Sequence, residues 1–245
     1  MLPKIEPAIR LYQYAVMPDH LHMLLSVERD IDAPLGAAIA RMKAWVNHSA
    51  QLTGVFDEGY NDQILRHDRN LNQIYQYIRD NPRRLAMRLT VPGYFRRVTG
   101  VVIDGRECRL YGNPDLLYNS FKEQVIVHRA DSPQQFAANL ERCVYIAANG
   151  GVLVSPFISP REREIREAAL AAGGRLIKLL PLPFSDRQKP AAADFRLCEE
   201  GRLLTVSPLT LPGAPAPGAP VTRAAAISLN ALAAAIAATP FPPPK

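Results

Sequence analysis

The sequence predicts a two-part chain of mixed helices and strands, with an α+β region first and a Rossmann-like α/β domain after it. Up to about residue 118, short strands and amphipathic helices follow one another irregularly, whereas from residue 125 strand and helix patterns alternate. Such alternation is typical of a parallel sheet with crossover helices. The composition, with 48% hydrophobic and 21% charged residues in 245, is that of an ordinary globular chain and argues against disorder or a fibrous fold.

The first region begins with two strands. Residues 11–27 are rich in β-forming side chains and are interrupted by Pro18-Asp19, which favours a tight turn. Residues 35–52 repeat apolar side chains at three- and four-residue intervals and predict an amphipathic helix. A second helix is predicted over residues 71–80, because Pro82 limits its continuation.

The rest of the chain predicts a hairpin followed by alternating elements. The Asp104-Gly105 pair indicates a hairpin turn between two short strands. From residue 208 to residue 220, five prolines predict a stiff linker, which precedes an alanine-rich soluble helix. The strands of the second region are predicted in VIVHRA, VLVSPFIS, RLIKLLP and RLLTVSP, with helices following the first two. We therefore expect domains at 1–118 and 119–208, followed by a Pro/Ala-rich linker and C-terminal helix at 209–245.

Charge and cysteine usage limit the function classes. Lys and Arg number 29 against 23 Asp and Glu, so the net charge of +6 favours anionic partners. Cys108, Cys143 and Cys198 form no CxxC pair, which argues against a zinc knuckle or a disulfide framework. No segment is typical of a signal peptide or a membrane span. We expect a cytoplasmic protein with no membrane partner.

Two pairs of side chains carry the predicted chemistry. His20 and His22 alternate on a strand and share one face, where they are able to hold one cation. Tyr77 and Asn81 are four residues apart on a helix and fall on the same side if the helix continues to Asn81. Tyr75 belongs to the apolar stripe of that helix and is interpreted as a core residue. The competing interpretation of the histidines is a half-exposed structural pair.

A phenol and a divalent cation together suggest phosphodiester chemistry. The phenol is protonated near neutral pH and needs electrophilic help to act as a nucleophile. A Mg²⁺ or Mn²⁺ ion held by His20, His22 and Asn81 would polarise a phosphodiester oxygen and orient the phosphorus for attack by Tyr77. The phosphotyrosine ester would conserve the energy of the original bond, so it suits strand transfer better than hydrolysis.

These residues also carry a family resemblance. YAVMPDHLHMLL and YIRDNPRRL, with GYNDQIL between them, resemble the motifs of the insertion-sequence-200-like single-tyrosine HUH transposases, which include the REP-associated group. The resemblance covers roughly residues 11–118. It implies a ferredoxin-like fold, a metal-binding pair His20 and His22, the nucleophile Tyr77, and Asn81 as the residue that completes the metal site. It also implies single-stranded DNA, often folded into hairpins, as the substrate.

The chain departs from the family pattern at two points. Asp19 replaces the usual Asn before the first histidine, and only about ten residues precede the histidine strands, where relatives carry a further strand and helix. We therefore expect a ferredoxin-like sheet that lacks its first strand. Family members are monomers or dimers, so a homodimer stays open.

Basic side chains around the tyrosine indicate a nucleic-acid partner. Between Tyr60 and Arg97 there are eight arginines and three acidic residues, so this window supplies +5 of the net charge. Tyr60, Trp45 and Tyr94 are candidates for stacking on bases, although Trp45 suits a core equally well. The alternative for the arginines after Asn81 is a solvated helix face. The arginines predicted to contact phosphates are Arg66, Arg79, Arg83, Arg84 and Arg88.

The second domain resembles another family less specifically. SPFISPREREI, a Gly-Gly pair and CEEGRLLTVSP are similar to the DprA/Smf-like (SLOG) Rossmann domains. The resemblance implies binding of single-stranded DNA or a nucleotide, with Ser155, Ser159 and Gly201 as candidates. The alternative is that the two serines only cap a helix.

Three functions remain open from the sequence. The first is a metal-dependent transposase that cleaves and rejoins single-stranded DNA through Tyr77. The second is a catalytically inactive DNA-binding or regulatory remnant of such an enzyme. The third is an unrelated metallohydrolase that uses Asp19, His20 and His22.

Overall fold

The computed structural model describes residues 2–65, 71–185 and 190–238. The chain divides into two compact units, Met1–Ala86 and Met87–Lys245. Helices and strands are mixed throughout, so the predicted combination of α and β structure is confirmed.

The first unit pairs two strands with two long helices. Its strands form an antiparallel hairpin with a bulge between Leu11 and Gln13, which confirms the predicted strand, turn and strand. The described residues of this unit contain no further strand. Its elements are α1 (Leu2–Ile5), β1 (Ile9–Val16), β2 (Leu21–Val27), α2 (Leu35–Ala50) and α3 (Leu71–Thr90), the last of which runs on past Ala86.

Two small apolar clusters hold this unit together. In the first, α2 buries Ala38, Ile39 and Met42 in a cluster that also holds Leu2 and Ile9. In the second, Ile78 of α3 packs with Ala15 of β1 and Leu24 of β2. Burial of these side chains fixes which face of α3 meets the hairpin.

The helix α3 is longer than predicted. It continues through Pro82 to Thr90, although proline lacks the amide proton that would bond to the carbonyl of Ile78. Ile78, Asn81 and Arg84 are all buried, so contacts on both sides of the proline hold the helix together. The prediction that the helix ends near residue 80 was wrong because these packing contacts outweigh the local cost of proline.

The second unit is built on a six-stranded sheet in the order β3-β4-β8-β7-β6-β5. Strands β5 to β8 are mutually parallel, and the β3–β4 hairpin adds antiparallel strands beside β8. Its elements are β3 (Arg96–Ile103), β4 (Arg106–Gly112), β5 (Lys122–Gln124), α4 (Pro133–Ala148), β6 (Val152–Ser155), α5 (Pro160–Ala171), β7 (Arg175–Leu179), α6 (Ala192–Glu199), β8 (Leu203–Pro208) and α7 (Arg223–Ala238).

Helices cover both faces of this sheet. Alternate residues of one strand belong to different clusters, since Leu153 packs with residues of α4, α5 and α6, while Val152 and Val154 pack with α7. The second unit is therefore a three-layer arrangement with the sheet in the middle.

The boundary between the units differs from the predicted one. The hairpin at Asp104-Gly105 has the predicted turn, with φ of 49° and 70° at these residues. However, β4 pairs with β8, and Gly112 has a φ of 115°, where a Cβ atom would lie 2.2 Å from the carbonyl oxygen of Leu203. The hairpin thus belongs to the second sheet, and the units divide after Ala86 instead of after residue 118.

Three further details correct the sequence interpretation. Strand β5 lies before residue 125, because Lys122 to Gln124 pair with β6. Helix α6 was not predicted. The predicted C-terminal helix is present as α7, and it belongs to the second unit, because it buries Ala225, Leu229 and Ile236 in the core of that unit. Among the described residues, no helix has the length and apolarity that a membrane crossing requires.

Candidate active site

The two histidines lie at the start of β2, immediately after the turn that joins it to β1. The amide of Met17 donates a hydrogen bond to the carbonyl of His20 at 2.9 Å and closes this turn. The ring centres of His20 and His22 are 4.6 Å apart, as the alternating spacing predicts for neighbours on one face. His20 is 42% exposed, so this pair is accessible from solvent.

Helix α3 brings a tyrosine and an amide to the same place. The ring of Tyr77 is 6.1 Å from the ring of His22, and the Asn81 Nδ2 atom is 3.2 Å from the His22 Nδ1 atom. Asn81 is only 8% exposed. Because the helix continues through Pro82, Tyr77 and Asn81 share one side of it. The structure therefore brings together within one chain the four residues His20, His22, Tyr77 and Asn81.

Each histidine has a polar neighbour at Nδ1. The Asp19 Oδ1 atom lies 2.6 Å from His20 Nδ1, and Asn81 occupies the corresponding position at His22. A carboxylate only accepts hydrogen bonds, so His20 Nδ1 donates to Asp19. The amide of Asn81 is able to present either its oxygen or its nitrogen, since a rotation of 180° exchanges the two.

The predicted arginines fall into different environments. Arg79 and Arg83 are exposed on α3, as phosphate contacts require. Arg88 lies with its guanidinium 5.6 Å from the ring centre of Phe195. Arg66 lies outside the described residues.

Arg84 differs from the other arginines of α3. It is 7% exposed, and its guanidinium lies 5.5 Å from the ring centre of Tyr77. The solvated helix face is therefore wrong for Arg84, because its side chain packs inward against the tyrosine. Sequence reasoning missed this contact, although the spacing from Tyr77 through Asn81 to Arg84 follows one helix face.

The donor set suits a divalent cation in part. A ring nitrogen holds an ion with the ring centre about 3 Å from the metal, so one ion is able to bridge two rings 4.6 Å apart. Imidazole favours Mn²⁺ over Mg²⁺, which prefers oxygen ligands. No group of three His, Cys, Asp or Glu side chains suited to a metal occurs within the described ranges. An ion at this place would thus depend on the two histidines, with Asn81 as the nearest amide.

The aromatic candidates for base stacking are divided between the units. Trp45 of α2 is 50% exposed and Tyr60 is 43% exposed, so both offer ring surface to solvent and Trp45 is not a core residue. Tyr94 belongs to the second unit and lines a cavity of about 360 Å³ together with Asn113 and Gly201.

The candidate residues of the second unit lie at opposite ends of its parallel strands. Ser155 ends β6, whereas Gly201 precedes β8, and these strands run in the same direction. Ser159 caps α5 by accepting from the amide of Glu162, and Ser155 Oγ donates to the Glu162 carboxylate at 3.2 Å. Ser159 therefore performs the capping role, Ser155 bonds to the glutamate of the capping box, and neither serine forms a site with Gly201.

Comparisons with known proteins add little. A scan against known protein families finds no match, and no solved structure matches the chain. A protein of Haemophilus influenzae, described only as an uncharacterized protein, is 23% identical over 105 residues. The alignment covers 33% of this chain and 58% of the relative, so the chain spans less than two thirds of that protein's length.

Proposed function

We propose that this protein is a metal-dependent DNA strand transferase of the single-tyrosine HUH type. The observation that carries the proposal is the convergence of His20, His22, Tyr77 and Asn81, which come from two motifs more than fifty residues apart in the sequence. A pair of structural histidines would not require a phenol and a buried amide beside them. The proposed substrate is single-stranded DNA, often with a hairpin.

The chemistry follows from the positions of these residues. The Tyr77 oxygen attacks a phosphodiester phosphorus, its proton passes to solvent, and the bond from phosphorus to one bridging oxygen breaks. That oxygen leaves as a hydroxyl group, and the phosphate stays on the tyrosine. A bound Mg²⁺ or Mn²⁺ would supply polarisation of a non-bridging oxygen. Attack by the hydroxyl of another DNA end on the phosphotyrosine rejoins the strand and restores the phenol.

Arg84 fits this chemistry as a buried cation beside the ring of the nucleophile. Its guanidinium lies over the Tyr77 ring, where it would stabilise negative charge on the phenol or on the attacked phosphate. Arg79 and Arg83 lie outside on the same helix and would hold the DNA backbone. Burial keeps Arg84 in place while the exposed arginines adapt to the strand.

We also propose the finer fold classes that the resemblances imply. The β1–β2 hairpin and its two helices would represent part of a ferredoxin-like HUH domain. Strands β5 to β8, which are parallel and joined by helices, support a Rossmann-like domain of the DprA/Smf type. A cytoplasmic location agrees with three cysteines that are free and buried.

The direct test is incubation of the full chain with labelled hairpin-containing single-stranded DNA and Mn²⁺, followed by a denaturing gel. We expect a DNA band of reduced mobility that survives denaturation and disappears with EDTA or after protease treatment. A His22→Ala variant should not form this band. Cleavage without any covalent band would contradict the proposal and would favour the metallohydrolase.

A second function has one observation in its favour. The described residues of the first unit form only a two-stranded sheet, whereas members of the resembling family carry a larger one. A DNA-binding remnant without catalysis would bind the same hairpin DNA and give no covalent band with any divalent ion. The gel assay therefore separates the two functions.

A further inference from the structure

Asp19 and His20 make a close polar contact at the candidate site. The carboxylate oxygen is 2.6 Å from Nδ1, and the two residues are adjacent in the turn before β2. The Asp19 side chain is 83% exposed, so its contact with His20 adds little to folding stability.

We propose that Asp19 is a positioning residue that fixes His20 in the tautomer whose Nε2 is free to bind a divalent cation. The proposal rests on the proposed function for the identity of the site. Neutral imidazole carries one proton, and a carboxylate at Nδ1 requires that proton on Nδ1. The lone pair is then on Nε2. Histidines that bind metals commonly donate their other ring N–H to such a partner, which fixes both ring orientation and tautomer.

The same reasoning explains the departure of this chain from the family motif. Asp19 stands where the resembling proteins carry Asn, and both side chains present an oxygen that accepts from Nδ1. The carboxylate differs because it has no donor group and cannot present one by rotation. Asp19 therefore holds one tautomer only, whereas an amide is able to support either.

Long-range ¹⁵N–¹H NMR of the metal-free protein, with both rings neutral, tests the tautomer directly. We expect His20 to show the Nδ1–H form and the Asp19→Ala variant to shift it toward Nε2–H. The Asp19→Asn variant should retain a large share of the Nδ1–H form. His22 is the second ring to be measured, and its Nδ1 atom lies 3.2 Å from the Asn81 Nδ2 atom. Asp30→Ala, an exposed acid beyond the end of β2, should leave both rings unchanged.

Mn²⁺ titration followed by electron paramagnetic resonance gives a second readout without DNA. Loss of a partner that orients a metal ligand typically weakens metal binding 10- to 100-fold, and we expect about that loss in Asp19→Ala. Asp19→Asn should recover most of the affinity. The proposal is overturned if wild-type His20 carries its proton on Nε2, or if Asp19→Ala binds Mn²⁺ as tightly as the wild type.

These outcomes are separable from the failure of the proposed function. If the tautomer and affinity results hold but no covalent DNA band forms, the positioning role stands and the strand-transferase proposal fails. If wild type forms the band and Asp19→Ala keeps both its tautomer and its Mn²⁺ affinity, only the positioning role fails. A weakly folded Asp19→Ala is detected by its amide spectrum, and the tautomer of His20 in the wild type then carries the test, since a proton on Nε2 overturns the proposal.

Discussion

The two units use their buried positions differently. Among the described residues, the apolar clusters of the first unit hold five and three buried side chains, whereas those of the second unit hold 17 and 14. The first unit nevertheless buries Asn81 and Arg84 on α3, close to the histidine and the tyrosine. A small core that buries polar groups around one point is typical of a site under functional selection.

The buried polar groups of the second unit have structural partners instead. Asn113 donates to the carbonyl of Gly201, Lys122 to that of Leu117, and Ser207 to that of Leu182. Each of these bonds satisfies a backbone group that the sheet leaves unpaired. Buried polar residues therefore indicate a functional site only where they contact potentially reactive side chains, as Asn81 contacts His22 and Arg84 contacts Tyr77.

The largest expected effect is the loss of the nucleophile. Tyr77→Phe should abolish the covalent DNA band because it removes only the attacking oxygen, and DNA binding should stay within about twofold, since the ring and its packing remain. Tyr75→Phe is the matched control, because it removes the same phenol oxygen two residues earlier on α3, about 200° round the helix from Tyr77. A denaturing gel measures the band and a filter-binding assay measures affinity. A persisting band in Tyr77→Phe would transfer the role to another residue.

The second-largest expected effect is a loss of stability that is specific to the unit whose core is truncated. Leu204→Ala truncates a fully buried side chain of β8, and Met42→Ala truncates a buried side chain of α2. Each should cost about 2–5 kcal/mol. The single tryptophan, Trp45, reports on the first unit, and all three cysteines lie in the second. Leu204→Ala should therefore move the urea midpoint of thiol labelling most, and Met42→Ala that of tryptophan fluorescence.

Identical shifts of both signals in both variants would contradict this separation. The two units would then unfold as a single cooperative structure.

Alkaline pH should weaken the second unit through its thiols. Burial raises the pKa of Cys108 to about 11 and that of Cys198 to about 12, from an ordinary value of 9.0. As pH rises, the unfolded chain loses these thiol protons before the folded chain does. The contribution of the buried thiols to the free energy of unfolding is therefore complete below about pH 9 and is lost as pH rises toward 11. Thiol-labelling midpoints in urea should fall over this range. The double variant Cys108→Ala and Cys198→Ala should show a smaller fall, and an equal fall would assign the effect to other groups.

The smallest expected effect concerns DNA backbone contacts. Exposed arginines release counterions when they bind phosphates, at about 0.7 per contact for single strands. Arg79→Ala with Arg83→Ala should reduce the slope of log affinity against log salt by about 1.4. Arg10→Ala on β1 is the control for an exposed arginine of the same unit, and Arg84→Gln should slow band formation and leave the slope unchanged. An unaltered slope in the double variant would mean that Arg79 and Arg83 lie on a solvated helix face and do not contact phosphates.

The sequence predicted the histidine pair and the tyrosine because their spacing is local. Alternation along β2 places His20 and His22 together, and one helical turn joins Tyr77 to Asn81. The length of α3 was not predictable in this way. Its continuation past Pro82 depends on the burial of Asn81 and Arg84, which is a tertiary effect.

The division of the chain was predicted at the wrong place for a similar reason. The hairpin around Asp104-Gly105 has a clear local signal, but its partner strand β8 is almost a hundred residues away. Likewise, the sequence of α7 predicts only an isolated alanine-rich helix. Its small side chains are explained by close packing against the sheet, which the structure shows. The contact of Asp19 with His20 also required the structure, because the turn brings the carboxylate round to Nδ1.

The most direct test of the central claim is mass spectrometry of the peptide that remains attached to DNA. The full chain is incubated with hairpin-containing single-stranded DNA and Mn²⁺, digested with protease and nuclease, and searched for a phosphonucleotide-modified peptide. We predict that the modification lies on Tyr77. A modification on Tyr75 or another residue, or cleaved DNA with no modified peptide, would contradict the account.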